Sequence, residues 1–264
     1  MGVLLSKPVI RLYFNMARSG GTIISRCLGS MVGVVLLSEI HPLGLGIFNP
    51  IVQADQWFDL FTEDDKKRLA ATGSLDYLDI IALIRQRCEE RQKTLLIRDW
   101  SHLDFTGVPF ITTPAYESTH RTLLQKQFDV IHTASVRHPI DQWLSLRRLS
   151  ILQGKINLDT YLTGYLRFAE FCSQIGFIRY EDFTRNPDEA AMALCANLDI
   201  HFDLSYRERW SRYTTITGDI KAQHLETEIL PRPRHPMEPD LVERFGGNAN
   251  YRRAIDILGY DHPE

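Results

Sequence analysis

One stretch limits what this chain can fold into more than any other: residues 10–31, IRLYFNMARSGGTIISRCLGSM. Ile10, Leu12, Tyr13 and Phe14 form an apolar run short enough for a buried strand, ending near Asn15. The run breaks into Ala17-Arg18-Ser19-Gly20-Gly21-Thr22, after which Ile23, Ile24, Cys27, Leu28 and Met31 recur at helical spacing. Strand, glycine-containing turn and helix is the construction that leaves free backbone N–H groups at a helix N-terminus aimed at an anion. Arg18, Ser19 and Thr22 add a cation and two hydroxyls at the same spot, so the stretch reads as a phosphate-binding loop.

A loop of this kind needs a sheet behind it, and the remaining sequence supplies one. Short apolar runs at 34–37, 94–97, 130–136 and 175–180 predict further strands. Helical patterns cover 21–31, 51–90, 120–127, 139–149, 158–172 and 187–198, with short helices at 240–245 and 250–258. Within 51–90, Trp57, Phe58 and Phe61 form one apolar face, read as core. Strands alternating with helices predict an α/β fold: a single-domain parallel β-sheet of four to five strands flanked by helices, of the P-loop nucleotide-binding type. No second domain and no repeat is visible over residues 1–264, and 231–236 is too proline-rich for regular structure.

Composition removes several function classes. A charged fraction of 24% with a formal net charge of -3 argues against a general nucleic-acid binder. Cys27, Cys88, Cys172 and Cys195 lie far apart with no CxxC pair, which is neither a zinc framework nor a disulfide scaffold. No apolar run reaches the roughly 18 residues of a membrane helix, and the N-terminus lacks a signal-peptide pattern, so a soluble cytoplasmic protein is expected. Residues 1–6 match the loose myristoylation pattern, a match that chance often supplies.

The other strand ends carry the remaining chemistry. Open α/β sheets bind ligands beyond the carboxyl ends of their strands. There the sequence places Glu39 and His41 after 34–37, and Arg98, Asp99 and His102 after 94–97. Arg137, Pro139 and Ser145 follow the fourth strand as R-x-P-x(5)-S. Eight residues along a helix is slightly over two turns, so Ser145 can face the same side as Arg137 and make a second phosphate site. The first loop lacks the lysine and spacing of a Walker A motif and is not G-x-G-x-x-G. Two phosphate sites on two strand–helix turns fit a nucleotide bearing both a 5′ and a 3′ phosphate.

The ordered set ARSGGT after the first strand, SVRHPIDQWLS after the fourth, and RYEDF before a proline-started helix resembles the sulfotransferase family. That family uses 3′-phosphoadenosine 5′-phosphosulfate (PAPS) and releases 3′-phosphoadenosine 5′-phosphate (PAP). The resemblance runs from about residue 11 to 198 and implies the sulfotransferase fold. It implies transfer of a sulfuryl group to a hydroxyl or amine of a small-molecule acceptor, without a metal. Arg18, Ser19, Gly20, Gly21 and Thr22 match the loop for the 5′-phosphosulfate. Arg137 and Ser145 match the pair for the 3′-phosphate. Tyr180 matches a residue near the adenine, with a core tyrosine at a strand end as the other reading. The stretch 213–221 lies where the family closes over the nucleotide, and Gly218, Lys221, Arg232 or Arg234 would add 3′-phosphate contacts.

Cytosolic small-molecule members carry lysine at the position of Arg18. Arginine keeps the charge but cannot give up its proton, which makes it an electrostatic catalyst rather than a general acid. The family often places its base just past strand three, which makes His102 the first candidate, oriented by Asp99. His41 and Glu39 are the alternative pair, whereas His138 caps or packs. The family's C-terminal dimer motif and its R-K-G triplet are absent, so the sequence leaves the oligomeric state open. A catalytically silent nucleotide- or partner-binding module and a kinase-like phosphotransferase are the competing classes. Hydrophobic loops at 43–48 and 105–111 point to a partly apolar acceptor.

Overall fold

The computed structural model describes residues 6–71, 75–218 and 228–263. Five parallel strands, β1 (Val9–Asn15), β2 (Val34–Ile40), β3 (Thr94–Asp99), β4 (Asp129–Val136) and β5 (Phe177–Arg179), form one sheet in the order β2-β3-β1-β4-β5. β1 lies at the centre, so the loop that leaves it opens between β3 and β4.

The strands are buried on both faces, as expected where helices cover a parallel sheet. Side chains alternate along each strand. Ile10, Leu12 and Phe14, Val35 and Leu37, Leu95 and Ile97, and Ala134 and Val136 face the larger core. That core is completed by helices α2 (Pro50–Gln56), α4 (Tyr77–Glu90), α7 (Pro139–Leu146), α8 (Leu158–Ile175), α12 (Pro239–Gly247) and α13 (Ala249–Leu258). Tyr13, Val34, Leu36 and Leu96 face the smaller core with α1 (Gly21–Gly29), α9 (Tyr180–Arg185), α10 (Pro187–Asn197) and α11 (Tyr206–Arg209).

Three differences from the sequence reading have local causes. The helical pattern at 51–90 is three helices, because Asp59 takes φ 46 after α2 and Asp76 caps a new start at α4, with α3 (Glu63–Ala71) between. The fifth strand is shorter than 175–180: Ile175 stays in α8, Gly176 ends that helix at φ 80, and Tyr180 already opens α9. β2 and β3 run further than expected, to Ile40 and Asp99, carrying polar residues in strand geometry up to the site. Short helices α5 (His102–Phe105) and α6 (Thr119–Leu124) complete the β3–β4 connection. Lys221 and residues 1–5 of the myristoylation-like match lie outside the described residues.

Candidate nucleotide and transfer site

The loop after β1 has the expected form. Gly20, the residue before α1, takes φ 84, a left-handed conformation that glycine adopts without steric cost. It offers no side-chain cap, and the first turn holds no acidic residue. The first turn of α1 thus meets neither a capping side chain nor an acidic residue of its own. Tyr180 lies against the loop so closely that a methyl group on Gly20 would overlap its ring. Ser19 donates its hydroxyl to Met16 O at 2.6 Å, an internal bond of the loop.

The second strand–helix turn meets the first. Arg18, at φ 64, donates through Nε to Ser145 Oγ at 2.9 Å. Arg137 donates through Nη1 to Arg18 O at 3.2 Å, and its guanidinium lies 5.0 Å from the Tyr180 ring centroid. Gln142 adds a bond from Nε2 to Ala17 O at 2.6 Å. Arg18, Ser145, Arg137 and Tyr180, scattered over more than 160 positions, thus share one neighbourhood. His138 caps α7: its Nδ1 accepts from Ile140 N and its Nε2 donates to Asp261 O, the structural part expected of it. Burial pushes its pKa down to about 4.

A third group gathers on the α1 side of the sheet, where strand parity explains the arrangement. Arg98 shares a face with Leu96, as Asn15 does with Tyr13, and Arg98 Nε donates to Asn15 Oδ1 at 2.9 Å. Glu39, by alternation from Leu37, would point to the other face. The register shifts between Leu37 and Ile40, and Glu39 takes φ 56. Such a bulge re-aims a side chain. Glu39 consequently meets Arg98 Nη2 at 3.3 Å through Oε1 and accepts the Thr217 hydroxyl at 2.6 Å through Oε2.

Thr217 is delivered from far along the chain. Arg26 of α1 donates to Tyr213 O and to Ser211 O, pinning the segment that continues to Gly218. A methyl group on Gly218, at φ 104, would lie 2.7 Å from Thr22 Oγ1 and 3.9 Å from Arg98 Nη1. Gly218 thus approaches the loop after β1 at Thr22. Arg234, another candidate contact, is held by Asp141 in two bonds of 2.9 and 3.0 Å.

The other titratable groups are held elsewhere. Asp99, expected to orient His102, accepts instead from Ser101 Oγ and from His120 Nδ1, both at 2.7 Å. The reason is again parity, since Asp99 follows Ile97 onto the face opposite Arg98. His120 is completed by Tyr77 Oη at 2.6 Å, and burial lowers its pKa. His102 is buried, with Nε2 donating to Val108 O and Nδ1 accepting from Thr106 Oγ1 at 2.5 Å. Burial holds its pKa below the ordinary imidazole value. His41 is fully buried: Nδ1 accepts from Leu43 N, and Nε2 meets Asp104 Oδ2 at 3.2 Å. Burial alone would lower its pKa, but the bond to Asp104 and the charges of Asp99 and Asp104 raise it.

The residue that sequence reasoning undervalued is Arg98. Its signal was the strand period, which puts it on the Leu96 face, toward Asn15. Among the described residues, no group of three or more His, Cys, Asp or Glu side chains could hold a metal ion. None of the described helices is long and apolar enough to cross a membrane.

No protein-family model and no curated protein sequence matches the chain. Solved structures do. The sulfotransferase domain from the curacin biosynthetic pathway aligns over 98% of this chain and 100% of its own, with TM-score 0.67 and 16% identity. The sulfotransferase domain from the Synechococcus PCC 7002 olefin synthase aligns over 99% and 98%, with TM-score 0.60 and 18% identity. The parallel five-stranded sheet with its flanking helices is the sulfotransferase fold.

Proposed function

We propose that the protein is a sulfotransferase that takes its sulfuryl group from PAPS and passes it to a hydroxyl or amine of a small-molecule acceptor. The observation that carries this reading is the contact between the two phosphate-type turns: Arg18 Nε on Ser145 Oγ at 2.9 Å, and Arg137 Nη1 on Arg18 O. Adjacent anion sites on two strand–helix turns suit one nucleotide with phosphates at both its 5′ and 3′ positions. The donors fit that ligand: first-turn N–H groups and Thr22 on one side, Arg137 and Ser145 on the other. Tyr180, against both Gly20 and Arg137, adds an aromatic wall between them.

When bound, PAPS supplies the sulfuryl group, whose bond to the 5′-phosphate oxygen breaks as the acceptor oxygen or nitrogen bonds to sulfur. The chain's own groups would do the rest. The α1 N-terminus, Thr22 and Arg18 stabilise charge on the departing phosphate oxygen, as fixed donors that need no reorganisation. Arg98 extends this positive field toward Glu39. The acceptor proton passes to Glu39, the carboxylate that the β2 bulge turns toward Arg98 and that Thr217 and Arg98 hold in place. Glu39 is preferred to His102 and His41 because each carboxylate oxygen can accept a second hydrogen bond beyond the one from Arg98 or Thr217, whereas each imidazole nitrogen has a single site and all four are engaged.

The test is transfer of radiolabelled sulfate from PAPS to a panel of alcohols, phenols and amines, together with calorimetric titration of PAP and of ATP with magnesium. Tight PAP binding and labelled product are expected. Binding of ATP in preference to PAP would overturn the reading. So would PAP binding with no transfer to any class of acceptor.

A further inference from the structure

The loops beyond β2 and β3, which flank Glu39 and Arg98, carry no charged side chain at residues 42–54 or 105–116, in a chain that is 24% charged overall. They nevertheless expose large apolar groups: Leu43 is 58% exposed, Ile47 54% and Phe110 39%. The loops are joined through one aromatic floor. Trp100 sits between Phe48, at 4.8 Å between ring centroids, and Phe110, at 5.0 Å. Gly44 lies under the same indole, where a methyl group would come within 2.7 Å of it. Trp100 is two residues from Arg98 and Pro42 three from Glu39, so the floor begins just beyond the strand ends that carry those two side chains.

The polar side chains of the first loop are spent inside the protein. His41 is tied to Asp104 and Leu43 N, Asn49 caps α2 through Ile51 N, and Gln53 makes two bonds to the Ser38 backbone. In the second, Thr106 is engaged with His102, while the exposed hydroxyls of Thr112, Thr113 and Tyr116 lie beyond Phe110 in the chain. A sugar would find few partners among Leu43, Ile47, Phe48, Trp100 and Phe110, and a charged peptide no countercharge on those side chains. Exposed apolar surface of this kind, rimming a polar site, marks a binding surface for an apolar body.

We infer that the acceptor is an amphiphile: a hydroxyl group on an extended aliphatic chain that lies along the Leu43, Ile47, Trp100 and Phe110 surface and presents its oxygen to Glu39. This rests on the sulfotransferase reading. Burial of each methylene on such a surface multiplies binding about fourfold, equivalent to about 0.8 kcal/mol.

The experiment is a series of 1-alkanols from butanol to dodecanol, with glucose as the polar comparison, in the labelled-PAPS assay. Calorimetry with PAP is run on every protein. The expected result is a rise in kcat/KM of up to about fourfold per added methylene, and no preference for glucose. Ile47→Asp and Phe110→Asp, both at exposed positions, should each lower kcat/KM for dodecanol about tenfold or more with PAP affinity unchanged. A flat response to chain length with intact PAP binding would overturn the inference and leave the sulfotransferase reading standing. Unchanged dodecanol turnover in both variants would do the same. Flotation with phosphatidylcholine vesicles that both substitutions abolish, without chain-length dependence, would reassign the surface to a membrane. Loss of PAP binding by the unmodified protein would remove both readings together.

Discussion

Replacing Arg137 by alanine separates the two phosphate sites energetically. In the structure its guanidinium makes a bond of 3.2 Å to Arg18 O and lies 5.0 Å from the Tyr180 ring centroid. The stacking contributes about 0.5–1 kcal/mol to the free protein, and the bond a similar amount. The fold should therefore lose only about 1–2 kcal/mol, a fall in Tm of roughly 2–8 °C for a chain of this length. The nucleotide should lose more. A charge-assisted hydrogen bond to a phosphate is worth about 1.5–3 kcal/mol, which is about 10–150-fold in Kd. The assay is calorimetric titration of PAP and of adenosine 5′-monophosphate, which differ only in the 3′-phosphate. Arg137→Ala should weaken PAP by that factor and leave the monophosphate within about threefold, closing the gap between the two ligands. An equal loss for both would refute the reasoning, because Arg137 would then act by holding the Arg18 loop. An unchanged PAP affinity would refute it outright.

Glu39→Gln should lower kcat by on the order of 10²–10⁴, the usual worth of a general base, with PAP affinity little changed, as followed by labelled sulfate transfer. Retained turnover would return the proton-accepting role to another group. Gly20→Ala places a methyl group into the Tyr180 ring at φ 84; the left-handed backbone alone costs about 1–2 kcal/mol. Tm and PAP affinity should both fall, and pairing it with Tyr180→Ala should restore part of the Tm loss. Strict additivity would show that the ring contact is immaterial. His138 is held down to about 4 by burial, against an ordinary 6.5. The unfolded chain therefore binds more protons than the folded one between those values, and stability should fall as pH drops from 6.5 toward 4. His138→Asn keeps a helix-capping side chain and should flatten that slope in denaturant melts. Identical slopes in the two proteins would sink this account.

Much of this could be read from local pattern. The strand, glycine turn and helix within residues 10–31 were legible because apolar period and φ-permissive glycine are local properties. The R-x-P-x(5)-S spacing likewise put Ser145 on the helix that follows Arg137, although Arg137 lies before that helix and it is Arg18 that joins the two. Other features were illegible for the opposite reason. Thr217 reaches Glu39 across 178 positions only because Arg26 pins the 211–213 segment to α1. The bond from His120 to Asp99 depends on how α4 and α6 pack over β3, which brings His120 to Asp99 and Tyr77 to His120.

By itself, then, the sequence determined the α/β class, the two strand–helix turns after β1 and β4 and the apolar character of the loops at 43–48 and 105–111, since periodicity and turn chemistry act over a few residues. Only the tertiary structure decided which titratable groups meet. The register shift between Leu37 and Ile40 turns Glu39 toward Arg98, while unbroken alternation turns Asp99 away and leaves His41 and His102 bonded inside their loops. A side chain's face depends on strand pairing, and pairing is settled by the neighbouring strand.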